Sequence, residues 1–228
     1  MLLMPWKKLP ERIRNDAVLP YYRRLEQRKA SLVLKRGFDL ILSGLLILLL
    51  SPLLAAIAIA IRLDSKGPAI YRQERVARFG KPFFICKFRT MVTDADRKGG
   101  LLTTGNDSRI TRVGKFLRKT HLDELAQLFN VFGGSMSFVG TRPEVERYVS
   151  RYTPEMYATL LLRPGITSPA SIAYKEENSL LSDAEDPETV YLSRILPDKM
   201  DYNLEYTRSF SFFGDLRIIL QTALGIFS

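Results

Sequence analysis

Residues 40–61, LILSGLLILLLSPLLAAIAIAI, carry no charge, and the way this stretch folds decides the architecture of the chain. As a single helix it would be about 33 Å long, enough to cross a bilayer. A run this long and this rich in Leu and Ile reads as a membrane segment rather than a buried core helix. It lies too far from the N-terminus, and without a small-residue cleavage site, to be a removed signal peptide. Ser51-Pro52 stands at its centre. Pro52 has no N–H for the carbonyl of Leu48 and its ring crowds that carbonyl, so the helix is expected to bend there, with the Ser51 hydroxyl bonded back to the carbonyl of Ile47.

The flanks bear on topology. Arg23, Arg24, Arg28, Lys29, Lys35 and Arg36 precede the run; Arg62, Lys66, Arg72, Arg75, Arg78 and Lys81 follow it. Cations mark the cytoplasmic side, and a single span cannot put both flanks there. The sequence therefore predicts a monotopic membrane protein in which residues 36–64 form a re-entrant membrane helix broken at Ser51 and Pro52, each arm about 16 Å deep. A spanning helix with an ordinary proline kink is the competing geometry.

The rest of the chain is sized for one domain with appendages: 228 residues, 34 Lys and Arg against 24 Asp and Glu, a net charge of +10 and 46% hydrophobic residues. That balance calls for an anionic partner. One cysteine, Cys86, excludes an intrachain disulfide, and with a single histidine, His121, it excludes a Cys/His zinc site. Chemistry is left to carboxylates, cations and hydroxyls.

Residues 1–35 mix Trp6, Tyr21 and Tyr22 with cations and read either as an interfacial segment against anionic lipid or as a solvated basic tail. Residues 65–228 read as the catalytic unit, mainly α with a small β-hairpin over 69–91 that turns at Phe79-Gly80-Lys81-Pro82. RKGGLLTTGND (97–107) reads as a loop. Helical spacing follows in Ile110, Val113, Phe116 and Leu117. Thr120-x-x-Asp123 then fits a capping box opening a second helix, with Leu122, Leu125, Phe129 and Phe132 as its buried stripe and Gly133-Gly134 as its stop. An amphipathic helix closes the chain over 216–227.

Asp123 and Glu124 thus fall in the first turn of a helix, just after Arg109, Arg112, Lys115, Arg118 and Lys119. A first-turn acid is often only a cap. Here the cations before it, the membrane segment upstream, and Arg142 (GTRPE) and Arg163 (LRPGIT) in loop contexts suggest a phosphate site. Adjacent carboxylates can supply a Mg²⁺ ligand and a nucleophile or base. His121 reads as a solvent-facing residue. Asp94-Ala95-Asp96 has the spacing of a metal-binding pair but reads as a cap or surface turn.

KRGFDLILS, the apolar stretch broken at Ser-Pro, GPAIYRQERVARFGKPFFICKFRTM, RITRVGKFLRKTHLDELAQLFNVFGGSMSFVGTRPE and RPGIT, in that order, resemble the bacterial sugar transferase family, the monotopic phosphoglycosyl transferases. The resemblance covers roughly residues 35–169 and is that of the small members made of the core alone. It implies transfer of a phospho-sugar from a nucleotide diphosphate sugar, usually UDP-linked, to polyprenol phosphate with release of UMP, at the cytoplasmic face of a bacterial inner membrane. It implies Asp123 as nucleophile, forming an aspartyl phospho-sugar, and as a Mg²⁺ ligand. Glu124 is its partner in metal or proton handling, and Arg118 lies near phosphate. Lys87 and Arg89 of KFRTM, with Arg142 and Arg163, are the further candidates for phosphate and nucleotide charge.

The chain departs from the family at Thr141-Arg142-Pro143, where many relatives have Pro-Arg-Pro, and at Ser168-Pro169 followed by ASIAYKEEN. The acidic stretch from Glu176 to Glu188 has no assigned role. A homo-oligomer is compatible with the sequence, and no nucleic-acid module is evident. Two other functions stay open: a non-catalytic basic membrane-anchored binding protein, and a conventional glycosyltransferase releasing UDP.

Overall fold

The computed structural model describes residues 3–95, 107–175 and 186–227. Most of the 97–107 loop, Asp96 and the acidic residues 176–185 therefore lie outside the described residues. The fold is mainly helical with a small antiparallel hairpin, as the spacing predicts.

The longest element is α2, Lys29–Asp64, a single run of 36 residues with Pro52 inside it. Leu48 and Leu49 are 74% and 69% exposed, and only 17% of the most apolar window of α2 is buried. A core helix would hide that surface, so length, hydropathy and exposure together suit α2 to a bilayer. Ser51 Oγ donates to the carbonyl of Leu48 at 2.8 Å, one residue later than expected from Ile47. Leu48 is the carbonyl that Pro52 leaves without a donor, so the hydroxyl replaces the missing amide.

Both ends of α2 pack against the same body. Near its start, Lys35 Nζ donates to the Val139 carbonyl at 2.7 Å and to Asp215 Oδ2 at 2.6 Å, while Asp39 Oδ1 accepts from Ser137 Oγ and the Phe138 amide. Toward its end, Leu54, Ile57 and Ile61 are buried against Phe88, Leu117 and Ala126. Asp64 accepts the Val113 amide at 3.0 Å.

The hairpin is β1 (Ile70–Val76) and β2 (Pro82–Phe88), with Ile70 opposite Phe88 and Val76 opposite Pro82. Phe79 in the turn takes φ 62°. Helix α3 (Arg112–Lys119) is capped at Thr111, whose side chain accepts the Gly114 amide. The capping box expected at Thr120 does not form. Thr120 closes α3 instead, donating its hydroxyl to the Phe116 carbonyl at 2.9 Å, and His121 reverses the chain at φ 55° before a short 3-10 turn, Leu122–Ala126. That turn runs into α4 (Gln127–Gly133), which stops at Gly134 with φ 83°. The expected buried stripe is corrected as well: Phe129 and Phe132 are exposed. Periodicity locates an apolar face without saying whether protein or lipid covers it.

Beyond α4, β3 (Ser137–Val139) pairs in parallel with β4 (Gly165–Thr167). Between them lie α5 (Glu146–Val149) and a 3-10 turn, Met156–Leu161. After β4 come α6 (Pro169–Ala173), α7 (Pro187–Val190), a π turn through Tyr191–Ile195, α8 (Leu196–Ser209) and α9 (Phe212–Phe227).

The N-terminal residues are neither a solvated tail nor held by lipid alone. Leu9, Ile13 and Val18, with Tyr21, Tyr22 and Leu25 on α1 (Leu19–Gln27), are buried in the main core with Leu161, Ile195 and Met200. Arg12 donates to the Gly80 carbonyl and pairs with Glu146. Helix α2 begins at Lys29, so no structural break falls at residue 35.

Candidate active site

Asp123 and Glu124 sit in the 3-10 turn between α3 and α4, and three tertiary contacts fix that turn. Asn130 of α4 clasps β2, accepting the Cys86 amide at 2.8 Å and donating to the Phe84 carbonyl at 2.8 Å. This brings the next residue of β2, Lys87, alongside Glu124. From α3, Arg118 Nε donates to Thr90 Oγ1 at 2.8 Å, which holds its guanidinium on the strand side of the cleft.

The cations share one carboxylate. Lys87 Nζ donates to Glu124 Oε1 at 2.8 Å, and Arg142 Nη2 approaches the same oxygen at 3.4 Å. Burial alone would raise the Glu124 carboxyl, but Arg142 and Lys87 outweigh it and hold the group down at about 2. Lys87 is held below its ordinary value by burial, which Glu124 offsets only in part while Arg142 adds repulsion. Asp123 is pushed up, first by burial and then by Glu124, against the opposing pull of Lys87 and Arg118. The site therefore has more cations than carboxylates to neutralise them, which suits an incoming anion.

Around this pair opens a cleft of about 1860 Å³. Leu46 and Leu50 of α2, with Leu125 and Leu128, are among its apolar lining, and Arg75, Glu144, Tyr191 and Lys199 among its polar lining. This polar group was not foreseen from the sequence. It includes a chain of contacts in which Arg75 lies 3.8 Å from Glu144 and the Tyr191 hydroxyl donates to Glu144 at 2.6 Å. No motif marks Tyr191 or Lys199. Only the fold brings them from the C-terminal third to β1.

Asp123, Glu124, Lys87, Arg118 and Arg142 are thus brought together. The other two predicted cations are not. Arg89 is buried, with Nη1 on the Lys66 carbonyl at 2.6 Å and Nη2 on the Ser65 carbonyl at 2.7 Å. It ties the end of α2 to the hairpin, although part of it borders the cleft. Arg89→Ala is accordingly expected to cost about 3 kcal/mol of stability through lost charge-assisted bonds to carbonyls, read as a lower Tm of the solubilised protein, whereas Arg118→Ala, which loses one bond to Thr90, should lower Tm less and reduce turnover more. Arg163 lies outside the cleft, its Nε on the Gly134 carbonyl at 2.8 Å. His121 is exposed at the cleft rim, as expected. Asp94 occupies a turn at φ 68°.

Glu124 also gives a stability signature. Its folded value lies below its ordinary 4.5, so its contribution is present above that value and lost as pH falls toward about 2. Glu124→Gln should flatten the acid limb of the stability profile in that window, measured by thermal denaturation at stepped pH.

Among the described residues no group of three acidic, His or Cys side chains could hold a metal ion. Mg²⁺ is commonly held by one or two carboxylates together with substrate phosphates and water. With Glu124 committed to Lys87 and Arg142, Asp123 is the carboxylate available for such a site, and the residues present fit that mode.

The structure thus joins one helix long and apolar enough to cross a membrane to a small hairpin and a cation-rich cleft around a carboxylate pair. The chain belongs to the bacterial sugar transferase family, whose model matches residues 30–228. It is 39% identical over 196 residues to the UDP-glucose:undecaprenyl-phosphate glucose-1-phosphate transferase of Klebsiella pneumoniae, a match covering 84% of this chain and 40% of the relative. It is 36% identical over 193 residues to the UDP-N-acetylgalactosamine-undecaprenyl-phosphate N-acetylgalactosaminephosphotransferase of Aeromonas hydrophila, covering 83% and 42%. Against the UDP-glucose:undecaprenyl-phosphate glucose-1-phosphate transferase of Caulobacter vibrioides it is 38% identical over 191 residues, covering 82% and 67%. The chain spans about two fifths of the length of the first two.

Proposed function

We propose that this chain transfers a sugar 1-phosphate from a nucleotide diphosphate sugar, in the first place a UDP-sugar, to polyprenol phosphate, and releases UMP. The observation that carries the reading is the cleft itself, which holds a carboxylate pair beside Lys87, Arg118 and Arg142 and is lined both by polar side chains and by Leu46 and Leu50 of the apolar helix. A soluble donor and a lipid acceptor can then reach the same carboxylate.

In the first half-reaction an oxygen of Asp123 attacks the phosphorus that bears the sugar. The bond from that phosphorus to the oxygen bridging it to UMP breaks, and UMP leaves with the electron pair. In the second, a phosphate oxygen of the polyprenol attacks the same phosphorus, the aspartyl bond breaks, and the carboxylate is restored. One site serves both substrates in turn, which is the gain of a covalent route. Arg118 and Lys87 face the charge on the transferring group, and Glu124 keeps Lys87 and Arg142 converged there. Mg²⁺ bound by Asp123 and the donor phosphates would neutralise phosphate charge.

The membrane helix is read as re-entrant, with the catalytic body on the cytoplasmic face of the inner membrane. Support comes from the contacts of both ends of α2 with one body and from Ser51 replacing the donor that Pro52 lacks. Single cysteines placed in a Cys86→Ser background at Arg28 and at Lys66 should both react with an impermeant thiol reagent from the cytoplasmic side. Reaction from opposite sides would mean a spanning helix. Pro52→Ala should shift the distribution toward that spanning form.

The reaction is tested by nucleotide release from solubilised protein supplied with Mg²⁺, polyprenol phosphate and a panel of UDP-sugars. UMP released with a particular donor, dependent on the lipid, is expected. UDP would identify a conventional glycosyltransferase, and no turnover together with salt-sensitive lipid binding would favour a binding protein.

A further inference from the structure

Arg142 reaches Glu124 from the connector between β3 and α5, and that connector is pinned on both sides of it. Upstream, the Gly140 amide donates to the Thr167 carbonyl at 2.9 Å, and the Gly165 amide donates to the Thr141 carbonyl at 3.1 Å. A Cβ on Gly140 would stand 2.2 Å from the Arg163 carbonyl oxygen, so the two backbones touch there. Downstream, the Val76 amide at the end of β1 donates to the Glu144 carbonyl at 2.9 Å. Pro143, between the two pins, narrows the backbone of Arg142 toward extended conformations.

The downstream pin carries a buried acid. Glu144 is 7% exposed, and a carboxylate that deep is costly to leave without a hydrogen bond. Arg75 is its counter-ion but stands 3.8 Å away, beyond hydrogen-bond reach. Arg75 spends Nε and Nη2 on Gln73, and its Nη1 leans on the Pro143 carbonyl at 3.4 Å. The short bond comes from the Tyr191 hydroxyl, 2.6 Å from Glu144 Oε1. Glu144 also offsets a repulsion inside the cleft: burial holds Arg75 below its ordinary value, Glu144 opposes that, and Arg142 adds to it.

Tyr191 is itself firmly placed. Pro197 has no amide for the Ser193 carbonyl, so the α pattern cannot continue through it, and the chain takes a π turn in which the Leu196 amide reaches back to the Tyr191 carbonyl. Such turns are rare and recur at functional sites. The Tyr191 ring is buried. It packs on Tyr148 with 5.1 Å between centroids, and Lys199 Nζ lies 5.6 Å from its centre.

We infer that Tyr191 is a positioning residue for the transfer reaction: by bonding Glu144 it fixes the connector that carries Arg142, and so sets that guanidinium against Glu124 and the incoming phosphate. Without the hydroxyl, Glu144 loses its short bond and turns toward water, drawing the connector off β1 and Arg142 with it. The consequence for turnover rests on the transfer reaction proposed above; the hold on the connector rests on the contacts alone.

Tyr191→Phe keeps the ring and removes the bond. In nucleotide-release assays on the full solubilised chain, kcat/KM for the UDP-sugar that the wild type turns over is expected to fall about tenfold, with Tm lower by about 2–4 °C. In an Arg142→Gln background the same change should cost less than about twofold, because the residue it positions is gone. Equal loss in both backgrounds would mean that Tyr191 touches the donor itself; that result, or a wild-type kcat/KM in Tyr191→Phe, overturns the assignment. Tyr22→Phe, which removes a hydroxyl bond to the Met4 carbonyl outside the cleft, should leave kcat/KM unchanged, and an equal loss there would mean general softening and overturn it too. Hydrogen exchange with mass spectrometry reads the connector without substrate. The Val76 amide should exchange about tenfold faster in Tyr191→Phe, while the Thr111 amide, bonded to the Thr90 carbonyl, keeps its rate. Unchanged exchange at Val76 overturns the hold on the connector whatever the protein turns over. Faster exchange in a protein whose wild type transfers nothing would uphold the hold and remove the reaction.

Discussion

Asp123→Asn is expected to abolish sugar-phosphate transfer, with turnover falling on the order of 10⁴-fold or more, because an amide cannot form the acyl phosphate. The change should be chemical rather than structural. The turn around residue 123 is held by Asn130, Arg118 and the Lys87–Glu124 pair, none of which uses the Asp123 carboxyl. Replacing one anion with a neutral group in a cleft that already has surplus cations should leave donor binding intact or tighten it. The expected signature is therefore a lost kcat with donor affinity kept, an unchanged Tm, and no mass adduct when the protein is incubated with donor alone. Turnover together with an adduct in the variant would remove Asp123 from the role of nucleophile. Loss of affinity with kcat retained would make it a binding residue.

The second large effect is expected at Gly114, far from any reacting atom. A Cβ built there would lie 2.0 Å from the Thr90 carbonyl oxygen, which is itself committed to the Thr111 amide. The crossing is backbone on backbone, so no side-chain rotation relieves it. Gly114→Ala must push α3 away from the end of the hairpin, at a cost of about 3 kcal/mol or more. It also parts Arg118 from Thr90 and so displaces a cation from the cleft. Gly37→Ala is the control: a Cβ there meets nothing within 4 Å, and alanine within a helix should be neutral or stabilising by up to about 1 kcal/mol. Thermal melts of the two variants, followed by transfer assays on whatever folds, separate the effects. A Gly114→Ala protein with wild-type Tm would refute the close approach of α3 to Thr90.

How much of this was readable beforehand differs by kind of signal. The long apolar helix, the hairpin turn at Phe79-Gly80 and the stop at Gly133-Gly134 rest on local chemistry, and each lies where the sequence puts it. So does the meeting of Lys87, Arg118, Asp123, Glu124 and Arg142, although there the resemblance supplied what spacing alone could not. Thr120 misled because its hydroxyl can close the preceding helix as readily as open the next. Phe129 and Phe132 misled because an apolar face has the same period whether it meets protein or lipid. Arg89 and Arg118 look alike in sequence, yet one is consumed by carbonyls at the end of α2 and the other faces the cleft. Asn130 and Tyr191 carried no signal, since their roles depend on partners about 40 or more residues away.

The docking of the N-terminal residues bears on the order in which the chain is made. Arg12 meets Glu146, and Tyr21 meets Glu155 and Arg208, so these residues find their partners only when parts of the chain well over a hundred residues later exist. At about 5–20 residues per second that wait lasts on the order of ten seconds. On the proposed placement of α2 in the bilayer, the helix enters it during that wait, while the segment ahead still lacks the surfaces it packs on, and the body closes afterwards.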